Sequence, residues 1–151
     1  MGQSDRPFVE GFPDLTDCEG QVIGIGVDII EVSRIRDLME RKGDRLHGRV
    51  FTDIEMDVAT GGRYDKLADR FAAKEAVAKA LGQGISGIGW NEIEIRNEPS
   101  GKPYVRLLGR AEELAKGRGV KAVLVSISHT DALAMAFAVA IGGGSLESRN
   151  C

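Results

Sequence analysis

One stretch of the chain, residues 70–82 (RFAAKEAVAKALG), constrains the possible folds more than any other. An α-helix turns by about 100° per residue, so four alanines of this stretch share one narrow face: Ala72, Ala73, Ala76 and Ala80. Such small side chains allow the helix to approach a sheet or a partner very closely. The same helix carries Lys74, Glu75 and Lys79, charges that a buried helix normally excludes. The stretch therefore predicts a closely packed helix whose charged residues need a separate explanation.

These charges lie on two edges beside the alanine face. Glu75 and Lys79 are one turn apart on one edge, and Arg70 and Lys74 are one turn apart on another. A Glu–Lys pair at this spacing stabilises a solvated helix by only about 0.2–0.5 kcal/mol. One interpretation is therefore an ordinary surface ion pair, and the other is a site that uses both side chains.

A second feature is the predicted strand at residues 22–30, VIGIGVDII. Successive strand residues point to opposite faces, so one face carries four apolar residues, Ile23, Ile25, Val27 and Ile29. The other face carries Gly24, Gly26 and then Asp28, a residue type that is disfavoured inside strands. The two glycines predict space for a bulky group beside the Asp28 carboxylate. The alternative is that Asp28 caps the helix that follows the strand.

One carboxylate from a strand and one from a helix suit Mg²⁺, which proteins usually hold through one or two carboxylates while waters and substrate phosphates complete the shell. Asp28 and Glu75 are the predicted ligands, and nearby basic residues of the helix could neutralise phosphate charge. Two common phosphate-binding motifs are excluded. A dinucleotide fingerprint would require glycine where Ile29 stands, and Lys102 is followed by proline rather than by the Ser or Thr of a P-loop.

The rest of the pattern predicts one α+β domain, residues 21–142, between an N-terminal arm (1–20) and a C-terminal tail (143–151), since 151 residues suit a single domain. Thr52 and Glu55 have the spacing of a capping box at the start of a short helix. The predicted helices are 31–43, 53–62, 64–81 and 109–117, the predicted strands are 22–30, 91–96, 102–108, 120–128 and 132–141, and 82–89 is a predicted loop.

Composition excludes several classes of protein. The net charge of −3 argues against a general nucleic-acid binder, and no apolar run reaches the roughly 18 residues of a membrane-spanning helix. The N-terminus has no apolar region of the kind found in signal peptides. The two cysteines, Cys18 and Cys151, do not form a disulfide framework, which favours a reducing, cytoplasmic location. With two histidines, a zinc site of the usual ligand number is not expected.

Five segments follow one another in a recognisable order: GIGVDIIEVSRI (24–35), RFAAKEAVAKALG (70–82), WNEIEI (90–95), GKPYV (101–105) and SISHT (126–130). Together, across residues 22–141, they closely resemble the holo-acyl-carrier-protein synthases, the small 4′-phosphopantetheinyl transferases of bacterial fatty-acid synthesis. The resemblance implies an antiparallel sheet with packed helices and a homotrimer whose active sites lie between protomers. It also implies a Mg²⁺-dependent transfer of phosphopantetheine from coenzyme A to a serine of acyl carrier protein, which releases adenosine 3′,5′-bisphosphate.

The resemblance also implies roles for individual residues. Asp28 and Glu75 would hold the metal, and Lys79 would act at the phosphates. Glu75, or a magnesium-bound water that it orients, is the predicted base for the serine hydroxyl. The predicted contacts to coenzyme A, chiefly to its nucleotide and 3′-phosphate, are Arg70, Lys102, His129 and Thr130, with Lys74 as a further contact of undefined role. The alternative for His129 is a turn residue whose ring is satisfied by backbone.

The segment 34–50, RIRDLMERKGDRLHGRV, contains six basic and three acidic residues in a chain of net charge −3. We expect it to dock acyl carrier protein, a strongly acidic partner, through Arg34, Arg36 and Arg41. The alternative is a solvated helix face of mixed charge. Two other functions compete with the transferase: a non-catalytic coenzyme A- or nucleotide-binding module or scaffold, and a Mg²⁺-dependent pyrophosphatase that cleaves coenzyme A with water. The presence of Asp28, Glu75 and Lys79 together favours the transferase.

Overall fold

A computed structural model describes residues 20–82 and 87–143, which form five strands and four α-helices. In chain order these are β1 (Gly20–Glu31), α1 (Val32–Leu46), α2 (Asp53–Asp57), α3 (Tyr64–Ala80), β2 (Ile93–Asn97), β3 (Pro103–Leu107), α4 (Gly109–Gly117), β4 (Val120–His129) and β5 (Leu133–Gly143). A 3₁₀ turn, Trp90–Glu92, precedes β2.

The strands form two antiparallel sheets. The larger sheet has the order β1-β5-β4, and the hairpin β2-β3 forms the smaller one. The predicted α+β class, the five strands and the two hairpins are thereby confirmed. Gly20 of the predicted arm and Gly143 of the predicted tail belong to β1 and β5. The rest of the arm and of the tail, and the centre of the predicted loop at 83–86, lie outside the described residues. None of the helices in the described part of the chain is long and apolar enough to cross a membrane.

Two predicted helix ends are wrong. Helix α1 does not stop at Gly43: the backbone leaves helical geometry only at Lys42, and the His47 N–H then donates to the Gly43 carbonyl (3.1 Å), so the last turn continues to Leu46. Helix α2 ends at Asp57 rather than at the glycine pair 61–62, which turns towards α3 with positive φ. Its predicted start is confirmed, because Glu55 N–H donates to Thr52 Oγ1 while Thr52 N–H donates to Glu55 Oε1 (3.0 Å).

Helix α3 lies directly on β1 and β5, and this contact explains both glycines of the first strand. A Cβ atom added at Gly24 would collide with the Ala80 carbonyl, and one added at Gly26 would collide with the Ala76 carbonyl. The four alanines of the predicted face are all buried. The expectation that the glycines leave room for a ligand is therefore wrong, because the helix backbone fills that space.

The opposite face of the larger sheet is apolar and uncovered in the single chain. It includes the predicted row on β1, where Ile25 and Ile29 are 62% and 59% exposed. Residues of β5 continue the patch, since Val27 of β1 is paired with Phe137 and Ile29 of β1 is paired with Met135. Both of these β5 side chains are also more than 40% exposed. A patch of this kind on one sheet face indicates contact with another protein surface.

Candidate active site

Three charged side chains meet where the end of α3 crosses β1. Asp28 lies on the face of β1 that α3 covers, and its side chain is 20% exposed. Lys79, in the last turn of α3, donates from Nζ to the Val27 carbonyl (2.9 Å) and lies 3.4 Å from Asp28 Oδ1. Lys79 is thus directed at the strand. Asp28 does not cap the next helix, because the N-cap of α1 is Glu31 and has no side-chain cap.

Glu75 is the third member of this cluster and lies one turn before Lys79. Burial raises the pKa of the Glu75 carboxyl, the negative charge of Asp28 raises it further, and Lys79 opposes both effects. Two carboxylates whose charges repel each other form a natural site for a cation. An ordinary surface pair is therefore an incomplete description of Glu75 and Lys79, since Lys79 also contacts Asp28 and the charge of Asp28 acts on Glu75.

The donor set fits Mg²⁺. Among residues 20–82 and 87–143, no three His, Cys, Asp or Glu side chains converge on one point. Two carboxylates, however, are the usual protein share of a Mg²⁺ site, where water and substrate phosphate supply the remaining oxygens. Asp28 and Glu75 are the residues that would hold the ion.

Lys74 has a different environment from its neighbours in sequence. Its Nζ is fully buried and donates to Glu55 Oε1 (2.6 Å) and to the backbone carbonyls of Trp90 (3.0 Å) and Ile93 (2.5 Å). Glu55 Oε2 in turn accepts the Ile95 N–H (3.2 Å), so the pair covers the outer edge of β2. An ammonium group with all three donors occupied cannot reach a ligand. The predicted role of Lys74 in cofactor binding is therefore corrected to a structural one.

A second cluster lies on the other side of α3, beside β4. A cavity of about 410 Å³ opens between the helix, the β2–β3 hairpin and the end of β4, and it is lined by Val58, Lys66, Asp69, Arg70, Asn97, Gly101, Pro103, Ile127 and His129. Two of the residues predicted to contact the nucleotide, Arg70 and His129, are thus brought together. Lys102 lies between two residues of the cavity wall, although it is not itself part of the lining.

Arg70 is held firmly in this cavity. Its side chain donates to Asn97 Oδ1 (2.6 Å) and to the Lys66 carbonyl (3.3 Å). Its Nε atom is buried and has no hydrogen-bond partner among the described residues. Burial lowers the pKa of the guanidinium, although the group remains charged at physiological pH. Arg70 therefore presents fixed positive charge to the cavity.

His129 and Thr130 have separate tasks at the end of β4. His129 Nδ1 lies 3.2 Å from Asp69 Oδ2, so the ring contacts a carboxylate rather than only the backbone. Thr130 Oγ1 accepts the backbone N–H groups of Ala132 (3.3 Å) and Leu133 (3.1 Å) and closes the turn to β5. The structure therefore shows a turn role for Thr130, and its contact with a nucleotide stays a prediction.

Three polar side chains of this cavity were not predicted from the sequence: Lys66, Asp69 and Asn97. Lys66 stands four residues before Arg70, a helical spacing that could have indicated it. Asp69 and Asn97 gave no comparable signal, because their partners lie far away in the sequence.

The sequence profile of the 4′-phosphopantetheinyl transferase superfamily matches residues 24–138, a range that contains both clusters. This chain belongs to that superfamily. It is 50% identical over 123 residues to the holo-acyl-carrier-protein synthase of Desulforudis audaxviator, and this alignment covers 80% of the chain and 94% of the relative. Membership confirms the resemblance found in the five sequence segments.

Two solved structures of superfamily members superpose on this fold. The holo-acyl-carrier-protein synthase of Neisseria meningitidis gives a TM-score of 0.73 at 35% identity, covering 80% of this chain and 98% of that one. The enzyme of Helicobacter pylori in complex with coenzyme A gives 0.69 at 28% identity, covering 77% and 98%. The chain therefore spans nearly the whole length of these relatives and shares their fold.

Proposed function

We propose that this chain is a Mg²⁺-dependent holo-acyl-carrier-protein synthase, which transfers 4′-phosphopantetheine from coenzyme A to a serine of apo acyl carrier protein. The observation that carries this proposal is the cluster of Asp28, Glu75 and Lys79 at the end of α3. The superfamily relatives bear the same enzyme name, and one of their solved structures holds coenzyme A. A cytoplasmic location suits this reaction.

The reaction requires that negative charge on the pyrophosphate of coenzyme A be neutralised. The serine oxygen forms a bond to the phosphorus that carries pantetheine, the bond from that phosphorus to the bridging oxygen breaks, and adenosine 3′,5′-bisphosphate leaves with the electron pair. Asp28 and Glu75 would hold Mg²⁺, which would supply neutralisation of the phosphate charge. Lys79 is half exposed and close to Asp28, so its ammonium group stabilises the charge that develops on the phosphate oxygens.

The serine proton needs an acceptor. Glu75 is the base in this mechanism, either directly or through a water that it orients. Burial and the Asp28 charge raise the pKa of Glu75 in the metal-free chain. A cation held beside Glu75 would favour its carboxylate form, which is the form that accepts a proton. The cavity beside β4 binds the nucleotide, because Arg70, Lys66 and His129 offer positive or hydrogen-bonding groups to its phosphate.

The two clusters lie on opposite sides of α3, one beside β1 and the other beside β4, with β5 between these strands. We infer that one coenzyme A contacts the β1-side cluster of one protomer and the β4-side cavity of a neighbouring copy in a homotrimer. The uncovered apolar sheet face, with Ile25 and Phe137, supplies an interface for such an assembly.

The transfer is tested by incubating the protein with coenzyme A and apo acyl carrier protein, with Mg²⁺ or with a chelator. We expect the carrier to gain the mass of phosphopantetheine only when Mg²⁺ is present. Free phosphopantetheine without a loaded carrier would instead identify a pyrophosphatase. Binding of coenzyme A without any product would identify a non-catalytic module.

The shared site is tested by mixing two inactive variants, Glu75→Gln and Arg70→Ala, after dissociation and reassembly. If neighbouring copies supply the two clusters, mixed trimers contain some intact sites and activity returns. If one copy supplies both clusters, every site remains damaged and the mixture stays inactive. Light scattering before and after mixing confirms the oligomeric state.

A further inference from the structure

The β4-side cavity contains a carboxylate that an anion site would be expected to exclude. Asp69 precedes Arg70 on α3, lines the cavity, and is 5% exposed. Its Oδ2 lies 3.2 Å from His129 Nδ1, while its Oδ1 is buried and has no hydrogen-bond partner among the described residues. The Asp69 carboxylate therefore faces a cavity whose other polar groups suit a phosphate.

Burial works against this carboxylate. It raises the pKa of Asp69, and the nearby basic groups of His129, Lys66 and Arg70 counter only part of the effect. An acidic group in this position would also repel an incoming phosphate. A structural or functional role of the Asp69–His129 contact would offset the cost of burying the carboxylate and the cost of its repulsion of phosphate.

The contact favours a proton on Nδ1 of His129, because the carboxylate oxygen of Asp69 can only accept. A carboxylate that accepts from one ring nitrogen fixes both the tautomer and the orientation of the imidazole. With Nδ1–H donating to Asp69, the Nε2 atom on the other side of the ring is left for the cavity. A ring protonated at both nitrogens can then donate from Nε2 to an oxyanion.

We propose that Asp69 is a positioning residue, which accepts from His129 Nδ1–H; once Nε2 has taken a second proton from solvent, the imidazolium donates from Nε2–H to a phosphate group of coenzyme A. This inference rests on the proposed function, because coenzyme A is the ligand. It assigns a task to a negatively charged residue outside the groups expected to touch the nucleotide. It also predicts that removing this negative charge weakens the binding of an anion, which is the opposite of simple electrostatics.

The first test measures the affinity of coenzyme A by calorimetry in a double-mutant cycle of Asp69→Asn and His129→Gln. We expect Asp69→Asn alone to weaken binding roughly tenfold, which is the scale of effect seen when a group that orients a binding histidine is removed. In the His129→Gln background the same change should have less than about a twofold effect. The matched control is Asp65→Asn, which removes a carboxylate from the same helix that is paired with Arg63 (3.1 Å); it should leave the affinity unchanged.

The second test reads the imidazole directly, without any ligand. The chain has two histidines, so a His47→Gln background leaves His129 as the only source of imidazole ¹⁵N signals. We expect Nδ1 to be protonated in this protein, and we expect that preference to disappear after Asp69→Asn.

Three results would overturn the inference alone. Tighter coenzyme A binding by Asp69→Asn in both backgrounds would show that Asp69 only repels the ligand, and an unchanged affinity with a lower melting temperature would show a purely structural role. If Asp69→Asn left the His129 tautomer unaltered, Asp69 would not position the ring, whether or not the protein binds coenzyme A. If the unmodified protein bound no coenzyme A, the proposed function and this inference would both be rejected. The tautomer measurement would still show whether Asp69 orients His129.

Discussion

Two lysines of helix α3, five residues apart, form ion pairs of opposite character. The Lys74–Glu55 pair has both side chains fully buried, a 2.6 Å contact, and every ammonium donor occupied. The Lys79–Asp28 pair is 50% and 20% exposed and has a contact of 3.4 Å. A charged residue of a motif is available for chemistry only if the fold leaves its hydrogen bonding incomplete and its charged group within reach of solvent.

The neighbours of each pair strengthen this contrast. Burial lowers the pKa of Lys74, and the charge and hydrogen bond of Glu55 offset only part of that change. Lys79 and Asp28, in contrast, have a second carboxylate beside them, and the pKa of Glu75 is raised. The buried pair stabilises β2 against α3, whereas the exposed cluster retains a repulsion that a bound cation would relieve.

The largest expected effect comes from Lys74→Met. Removing one partner of a buried pair leaves Glu55 uncompensated and should lower the free energy of unfolding by about 3–5 kcal/mol. Chemical denaturation measures this change. The matched control is Lys116→Met, which breaks an exposed pair with Glu112 (3.0 Å) and should hardly alter stability. Equal losses in the free energy of unfolding from the two substitutions would contradict the claim that the buried pair matters more for stability than the exposed pair.

Lys79→Met should have the reverse profile. If Lys79 stabilises phosphate charge in the transition state, kcat should fall by roughly 10²-fold or more, while the melting temperature stays nearly unchanged. Steady-state kinetics and thermal melting of the same preparation give both values. A fall in kcat of less than about threefold would show that Lys79 only forms a surface pair with Asp28.

Much of this contrast was not visible in the sequence, for a physical reason. The capping box at Thr52 and the alternation of Ile25 and Val27 depend on residues a few positions apart, and both could be predicted. The partners of Lys74, by contrast, lie 19 residues away on either side, at Glu55 and Ile93. Their positions depend on how α2, α3 and β2 pack, which no local pattern encodes.

The glycines of β1 show the same limit. The strand pattern correctly placed Gly24 and Gly26 on the face of Asp28, but only the position of α3 shows that helix backbone fills the space beside them. Asp69 and His129 are 60 residues apart in the chain and meet only because α3 lies against β4. Residue type and spacing thus indicated the cluster of Asp28, Glu75 and Lys79. The neighbours of these residues depend on how the helices and strands pack.

A smaller effect is expected from pH and from Glu75→Gln. The raised pKa means that the folded state favours protonated Glu75. This contribution to stability is complete below the ordinary Glu value of about 4.3 and is lost as pH rises through the raised pKa of Glu75. In the presence of a chelator, the variant should therefore melt higher than the unmodified protein at pH 8, with a smaller difference at pH 5.

Adding Mg²⁺ completes this test of Glu75. The ion should raise the melting temperature of the unmodified protein at pH 8 and should have little effect on Glu75→Gln, which lacks the carboxylate charge. A melting difference that is the same at both pH values would contradict the raised pKa.

The smallest expected effect concerns carrier docking by α1. Arg34, Arg36 and Arg41 are exposed, whereas Ile35 is 2% exposed and belongs to the core, so this face offers charge rather than apolar contact. We propose that it meets the acidic carrier. Arg34→Glu or Arg41→Glu should raise KM for the carrier severalfold and leave coenzyme A binding unchanged, because complementary charge acts mainly on encounter and register.

Salt provides the control for this prediction. Exposed charges are screened within about 10 Å at 0.1 M salt, so added salt should weaken carrier recognition in the unmodified protein more than in the variants. Arg110→Glu on α4 is a matched reversal elsewhere on the surface and should leave KM for the carrier unchanged. Equal KM values and equal salt responses in all variants would place the docking site elsewhere.

The most direct test of the reactive cluster is transfer to apo carrier by Asp28→Ala and Glu75→Ala across a series of Mg²⁺ concentrations, with melting curves of the same samples. If these carboxylates hold the ion, both variants remain folded and each loses most of its activity, most severely at low Mg²⁺. The unmodified protein should lose activity with a chelator and regain it when Mg²⁺ is restored. Normal turnover by either folded variant at low Mg²⁺ would contradict the assignment of Asp28 and Glu75 as the metal site.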